Sequence, residues 1–151
     1  ITHHSSLITK TMALQLDVIT PERRLLSEQA DAVTVPGAGG ELGILPGHTP
    51  LISQLQTGVL SYTQGTTTRR LLVSGGFVEV NDDRVSVLAD FAEFPEEIDA
   101  ARARLERDEA ERRLGSFTGS PEELAEVSAQ LDRASTRLQL AASEGARSGS
   151  A

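Results

Sequence analysis

Phe77-Val78-Glu79-Val80-Asn81-Asp82-Asp83-Arg84-Val85-Ser86-Val87-Leu88 is the stretch whose reading decides the fold. Apolar and polar residues alternate on both sides of Asn81-Asp82-Asp83, so each flank carries the two-residue period of a half-buried strand. Asn and Asp tolerate the positive φ values of a tight turn, which makes the whole stretch a β-hairpin. The same texture recurs upstream. Leu14-Gln15-Leu16-Asp17-Val18 alternates and stops at Pro21, and Val33-Thr34-Val35 stops at Pro36. Val59-Leu60-Ser61-Tyr62-Thr63 stops at Gly65 and has a natural partner in Arg70-Leu71-Leu72-Val73. Short strands broken by turn residues, with no helical period between Leu14 and Asp90, predict an antiparallel β-sandwich rather than βαβ units.

Downstream the pattern breaks at Pro95. Pro95-Glu96-Glu97-Ile98-Asp99 combines a fixed φ with negative charge and reads as the opening of a helix that runs to Leu114. Ile98, Ala101 and Leu105 give it a short apolar stripe, which Asp108 and Arg112 interrupt; Asp108 with Arg112 and Glu109 with Arg113 are spaced as i,i+4 ion pairs. Gly115 to Gly119 make a turn, and Ser120-Pro121-Glu122-Glu123 is a capping box that starts a second helix. Leu124, Val127, Leu131, Ala134, Leu138 and Ala141 trace one narrow apolar seam along it. The expected fold class is therefore an all-β sandwich N-terminal domain, residues 12–95, followed by a C-terminal antiparallel two-helix hairpin, residues 96–142 (α+β overall). Residues 1–11, ITHHSSLITKT, precede the single methionine, Met12, and read as a non-native or disordered extension; residues 143–151, SEGARSGSA, read as a flexible tail. Two helices alone are marginal in water, so the hairpin needs a docking surface on its own sandwich or on another chain.

Composition narrows the function. With 151 residues, 38% of them hydrophobic, the chain buries one modest core plus an appendage. A formal net charge of -8 excludes a nucleic-acid partner, which requires clustered cations to displace counterions. The absence of cysteine excludes disulfides and thiolate metal sites. No apolar run approaches the roughly 20 residues that span a bilayer, so direct membrane insertion is not expected.

Several residues invite a chemical reading. Pro36-Gly37-Ala38-Gly39-Gly40-Glu41-Leu42-Gly43 is glycine-rich, but no Lys-Ser/Thr follows, the dinucleotide spacing is missed, and Pro46 stands where a phosphate-capping helix would begin; it reads as a structural turn. His48, flanked by Gly47, Thr49 and Pro50, reads as a hydrogen-bonded loop histidine, Asp82 and Asp83 as turn formers, and the adjacent His3 and His4 as part of the extension. No general acid, general base or metal ligand is assigned; Asp90 and Glu93 as paired carboxylates of a sandwich hydrolase are the remaining enzymatic alternative. The helical part offers one sharper constellation. Asp99 and Arg102 lie one turn apart on the first helix, Arg133 and Arg137 one turn apart on the second, and Glu93 just precedes them. Folded together, three guanidiniums could converge on a polyphosphate; the competing account is ordinary surface ion pairing.

Gly40-Glu41-Leu42-Gly43-Ile44-Leu45-Pro46-Gly47-His48-Thr49-Pro50-Leu51, then Thr57-Gly58-Val59-Leu60, resembles the epsilon subunit of the bacterial F-type ATP synthase, counterpart of the mitochondrial delta subunit. Val73-Ser74-Gly75-Gly76-Phe77-Val78-Glu79-Val80, Arg84-Val85-Ser86-Val87-Leu88-Ala89-Asp90 and Ala110-Glu111-Arg112-Arg113-Leu114 continue the resemblance, which spans Met12 to about Ala142. It implies a non-catalytic central-stalk (rotor) subunit of the F1 sector of a proton-translocating enzyme, in contact with the gamma subunit and the c-ring and peripheral to the cytoplasmic face of the bacterial inner membrane. It implies also a hairpin that folds on the sandwich or extends toward the alpha and beta subunits, where it restrains ATP hydrolysis. The break at Pro95 then reads as a hinge. Some members of the family bind ATP, as a regulatory ligand rather than a required cofactor, through an I-D-x-x-R-A pattern and two arginines of the second helix. Ile98-Asp99-Ala100-Ala101-Arg102-Ala103 matches that pattern, Arg133 and Arg137 match the arginines, and Glu93 is suitably placed. A stand-alone ATP-sensing module is the alternative function. One departure concerns the second helix, which up to Ala142 carries Arg133 and Arg137 against Glu122, Glu123, Glu126 and Asp132, whereas strongly inhibitory members are basic there. Milder inhibition is expected.

Overall fold

The computed structural model describes residues 13–149, with side chains through Gly145; the expectations for residues 1–11, His3 and His4 among them, lie outside the described residues, as do residues 150 and 151. The chain divides into two compact units between Ala92 and Glu93.

Among the described residues the chain up to the helical unit forms ten strands, β1 Leu14–Ile19, β2 Arg24–Ala30, β3 Ala32–Gly37, β4 Gly40–Ile44, β5 Leu51–Gln54, β6 Gly58–Gln64, β7 Thr67–Ser74, β8 Phe77–Asn81, β9 Arg84–Leu88 and β10 Phe91–Glu93, the last ending on the first residue of the second unit. They form two five-stranded sheets, ordered β2-β1-β9-β8-β5 and β10-β7-β6-β3-β4. Alternation does what the sequence predicts: Leu14, Leu16 and Val18 on β1, Val78 and Val80 on β8, and Val85 and Val87 on β9 are all buried, while the residues between them face outward. From the second sheet Val33, Val35, Leu60, Tyr62, Leu71 and Val73 complete the core. The deciding hairpin pairs Phe77 with Leu88 through Asn81 with Arg84, and Asp82 and Asp83 take φ values of 49° and 59° to close it. Asp83 does more than turn: its carboxylate accepts the Gly47 N–H at 2.7 Å and its carbonyl accepts the Gln15 N–H at 2.8 Å, which ties a loop and β1 to the turn. β6 and β7 pair from Gly58–Val73 to Gln64–Thr67, as expected around Gly65.

One pairing departs from expectation. β1 runs parallel to β9, Gln15 level with Arg84 through Ile19 with Leu88, so the sandwich is not wholly antiparallel. A parallel pair needs a long crossover, here the whole chain from β2 to β8, and no local pattern announces it. The glycine-rich stretch is a turn, with Gly37 paired to Gly40 and β4 following at once. The two sheets are cross-linked by polar groups at one end: the Tyr62 hydroxyl donates to Glu28 at 3.1 Å, and Gln64 donates to Glu28 at 3.1 Å and to the Gln29 carbonyl at 2.7 Å.

The second unit, from Glu93 onward, holds a single 3-10 turn, Pro95–Glu97, and two helices, α1 Ala100–Gly115 and α2 Pro121–Gly149. The expected helix start at Pro95 is corrected by Ile98, whose extended backbone (φ −82°, ψ 124°) separates the turn from the helix. Asp99 is the true cap, accepting the Arg102 N–H at 3.1 Å. α2 opens on the predicted capping box: Ser120 Oγ accepts the Glu123 N–H at 3.1 Å while Glu123 accepts the Ser120 N–H at 3.4 Å. It does not stop at Ala142 but runs on to Gly149, with Ser143 Oγ donating to the Leu140 carbonyl at 3.0 Å.

The packed faces also differ from those predicted. On α1 the buried residues are Ala103 and Ala110, while Leu105 is 70% exposed and Ala101 faces solvent. On α2, Val127 and Ala134 are buried as expected and Leu140 is buried without having been predicted, whereas Leu124 is exposed and Leu131, Leu138 and Ala141 are half-buried. The predicted pairs Asp108–Arg112 and Glu109–Arg113 give way to Arg107–Asp108 at 3.2 Å and to Arg113 donating across to Gln130 at 3.3 Å.

Candidate functional site

Two cross-links fix the register of the helices. Arg113 meets Gln130, and Glu106 meets Arg137, at 3.3 and 3.4 Å. The two contacts are seven residues apart on each helix, as an antiparallel pair in constant register requires. Ala103, three residues before Glu106, therefore comes level with Leu140, three beyond Arg137. Each is buried, a methyl facing a large side chain across a close helix pair.

That register brings four charged side chains into one chain of contacts. Arg137 Nε donates to Glu93 Oε1 at 2.5 Å, Arg137 Nη1 donates to Glu106 Oε2 at 3.4 Å, and Arg102 Nε donates to Glu106 Oε1 at 2.9 Å. Glu93 is held by the second helix, although it lies 44 positions away in sequence. Side-chain exposure falls from Arg102 to Arg137, the latter being 17% exposed and Glu93 26%. A cation so far out of water must be compensated, and two carboxylates compensate it.

Of the residues singled out from sequence, Glu93, Arg102 and Arg137 thus belong to one network. Asp99 sits at its edge, bound to the backbone of Arg102 rather than to a guanidinium. Ile98 is half-buried in the extended link before α1, and Ala103 lies on the packed face. Arg133 is largely buried and has Glu126 of its own helix at 3.7 Å. Glu106, the residue that joins the two arginines, was missed; its one legible signal was the i,i+4 spacing from Arg102. Donors aimed at carboxylates from two facing helices are a geometry that accepts phosphate oxygens equally well.

Elsewhere the candidates resolve into structural roles. His48 Nδ1 donates to the Thr49 carbonyl at 2.7 Å and its backbone N–H to Leu45 at 3.1 Å, a loop histidine holding its own turn. Glu93, the other carboxylate of the enzymatic alternative, is paired with Arg137. Among the described residues no cluster of three or more His, Cys, Asp or Glu is placed to hold a metal ion, and no helix is long and apolar enough to cross a membrane.

Comparison with known proteins matches both parts in order. Residues 13–95 match the family described as ATP synthase, Delta/Epsilon chain, beta-sandwich domain, and residues 96–142 match ATP synthase, Delta/Epsilon chain, long alpha-helix domain. The ATP synthase epsilon chain of Desulforamulus reducens is 49% identical over 102 residues, 68% of this chain and 77% of that one. ATP synthase epsilon chain 2 of Syntrophotalea carbinolica is 43% identical over 132 residues, 87% of this chain and 96% of its relative. Among solved structures, a chain of the Euglena gracilis mitochondrial ATP synthase, seen in its OSCP/F1/c-ring assembly, is similar with a TM-score of 0.72 at 26% identity, over 83% of this chain and 79% of that one. Sandwich and helical pair, each matched and in the same order, show that the chain belongs to the delta/epsilon chain family of ATP synthase.

Proposed function

We propose that this chain is a non-catalytic subunit of the central stalk of a proton-translocating ATP synthase, coupling the c-ring and the gamma subunit to catalysis and restraining ATP hydrolysis through its helical unit. The observation that carries this is the match of both parts to epsilon chains over residues 13–142, and the similarity to a chain solved within an F1/c-ring assembly supports it. The sandwich is the attachment to gamma and the c-ring, at the cytoplasmic face of the bacterial inner membrane, and it is peripheral. The helices are the part that moves, toward the alpha and beta subunits when extended. Bond-making belongs to those subunits, and this chain requires no cofactor of its own.

In the folded helical unit, Glu93, Ile98, Asp99, Arg102, Ala103, Arg133 and Arg137 form a regulatory ATP site. Arg102 and Arg137, already directed at carboxylate oxygens, supply donors for the phosphates. A ligand that binds only the folded form stabilises it by about 2.7 kcal/mol at a hundredfold excess over its dissociation constant, enough to bias a switch of a few kcal/mol. Co-purification of the full chain with the gamma subunit is the test. A stable complex is expected; tight ATP binding with no affinity for gamma would overturn the rotor assignment in favour of a stand-alone nucleotide sensor.

A further inference from the structure

Arg102 and Arg137 are the two arginines that the regulatory ATP site assigns to phosphate, and in the folded helices one carboxylate already holds both. Glu106 uses Oε1 on Arg102 at 2.9 Å and Oε2 on Arg137 at 3.4 Å, bridging a guanidinium of α1 and a guanidinium of α2. Two anionic oxygens shared between two arginines is how a phosphate would sit there. Glu93 differs: it meets Arg137 at Nε, from the segment before α1, and leaves the Nη1 side to Glu106. Glu106 is also the more solvated of the two, 41% exposed against 26%, so it can leave for water at smaller cost.

We propose that Glu106 is a built-in competitor for the polyphosphate: it occupies the phosphate's place on Arg102 and Arg137 and so sets the affinity of the nucleotide site. This rests on the regulatory ATP site proposed above. Nucleotide binding is then an exchange of anions, in which Glu106 swings outward as phosphate oxygens take over its two contacts. Affinity is lower than it would be for arginines that face only water, because the site gives up two ion pairs for each ligand it takes. The competing chemistry is generic to polyphosphates, so inorganic tripolyphosphate feels it as ATP does.

Calorimetric titration of ATP and of inorganic tripolyphosphate into the full chain tests this. The variants are Glu106→Gln, which keeps length and removes charge, Glu111→Gln, an exposed α1 residue that serves as a charge-matched control, and Arg102→Ala alone and combined with Glu106→Gln. Glu106→Gln should tighten both ligands roughly three- to fivefold, the upper end of what exposed ion pairs are worth. Glu111→Gln should leave the dissociation constants within about twofold, the screened effect of a distant charge, and Arg102→Ala should abolish the gain. Equal affinities in the parent chain and Glu106→Gln would overturn the proposal and leave the nucleotide site standing. Equal tightening by both glutamine variants would overturn it in favour of net charge. Absence of heat from ATP in every variant would remove the nucleotide site, and the role of Glu106 with it.

Discussion

Replacing Arg137 by methionine asks whether charge holds the helical pair closed at the point where a nucleotide would act. Methionine keeps an unbranched apolar stem and a good helix propensity, so the change deletes the guanidinium and little else. What is lost is the bond to Glu93 at 2.5 Å and the longer one to Glu106 at 3.4 Å. At 17% and 26% exposure the Arg137–Glu93 pair is not a surface pair worth a few tenths of a kcal/mol. Its deletion also leaves a half-buried carboxylate without its cation. A hydrogen bond to a charged group contributes about 1.5–3 kcal/mol, and the Glu106 contact, long and better solvated, adds little. A loss of about 2 kcal/mol follows, which multiplies the open fraction of the hairpin roughly 30-fold. Amide hydrogen exchange reads this directly, because the α1 and α2 amides exchange through opening, with the Val85 and Val87 amides of the sandwich as the internal reference. The amides from Ala134 to Leu140 should exchange about 30-fold faster in Arg137→Met, and Glu93→Gln should reproduce most of the effect. An acceleration below about threefold would refute the assignment of Arg137 as the latch.

Three further outcomes follow from other parts of the chain. At Gly76 (φ +87°) an added Cβ would lie 1.9 Å from the Leu88 carbonyl oxygen, whereas at Gly75 (φ +71°) it meets first the mobile Asp90 carboxylate at 2.3 Å. Gly76→Ala should therefore cost about 3 kcal/mol or more in urea unfolding, followed by the emission of the single tyrosine, and Gly75→Ala about 1–2; equal losses would contradict the geometry. Burial raises the Tyr62 phenol above its ordinary 10.0, with Arg69 opposing and Glu28 adding to the shift. Because the unfolded chain loses this proton first, stability should be unaffected by Tyr62 below pH 10 and decline as pH rises through the folded pKa. Spectroscopic titration of the phenolate should give a midpoint above 10.0, and a midpoint at or below that value would exclude the burial effect. Truncating the chain after Glu97 in an assembled ATP synthase should raise ATPase activity by less than about fivefold, since up to Ala142 acidic residues outnumber Arg133 and Arg137 on the second helix and electrostatic capture is worth no more than about 1 kcal/mol. A larger rise would show that something other than charge anchors the extended hairpin.

What could be read from sequence was what neighbours in sequence determine. The Phe77–Leu88 hairpin needed only alternation and two residues that accept positive φ, and the α2 start needed only Ser120 and Glu123. The β1–β9 pairing escaped because nothing in either strand encodes a partner some 70 positions away. The packed face of α1 escaped for a different reason. Hydrophobic pattern weighs leucine above alanine, yet a close helix pair buries Ala103 and Ala110 and leaves Leu105 in solvent. α2 passes Ala142 into the stretch whose composition reads as a flexible tail, since a glycine such as Gly145 inside a helix costs only about 1 kcal/mol. At the site, Glu93, Arg102 and Arg137 were identifiable by type and spacing, but Glu106 was not, since its role exists only in the register that sets α1 against α2.

The alanine-lined interface bears on why charge should govern this hairpin. The sandwich buries Leu14, Leu16, Val18, Leu60, Leu71 and Val85 at 0–1% exposure, a core whose hold is apolar and indifferent to dissolved anions. Among the described residues the helical pair buries two alanines from α1, and one alanine, one valine and one leucine from α2. At about 0.8 kcal/mol per buried methylene equivalent, such a face gains little on closing, and the cost of ordering two helices takes most of it back. The contacts that Arg137 makes from α2, chiefly with Glu93, then supply a large share of what favours the closed form, the Arg102–Glu106 pair lying within α1. A polyphosphate bound as proposed, bridging Arg102 of α1 and Arg137 of α2, would add to a closure that apolar packing alone holds weakly, whereas in a leucine-packed hairpin it would add to one already complete. Weak apolar packing is in this sense a condition for control by a small anion. A substitution that adds apolar contact between α1 and α2 should therefore make amide exchange from Ala134 to Leu140 less responsive to added ATP.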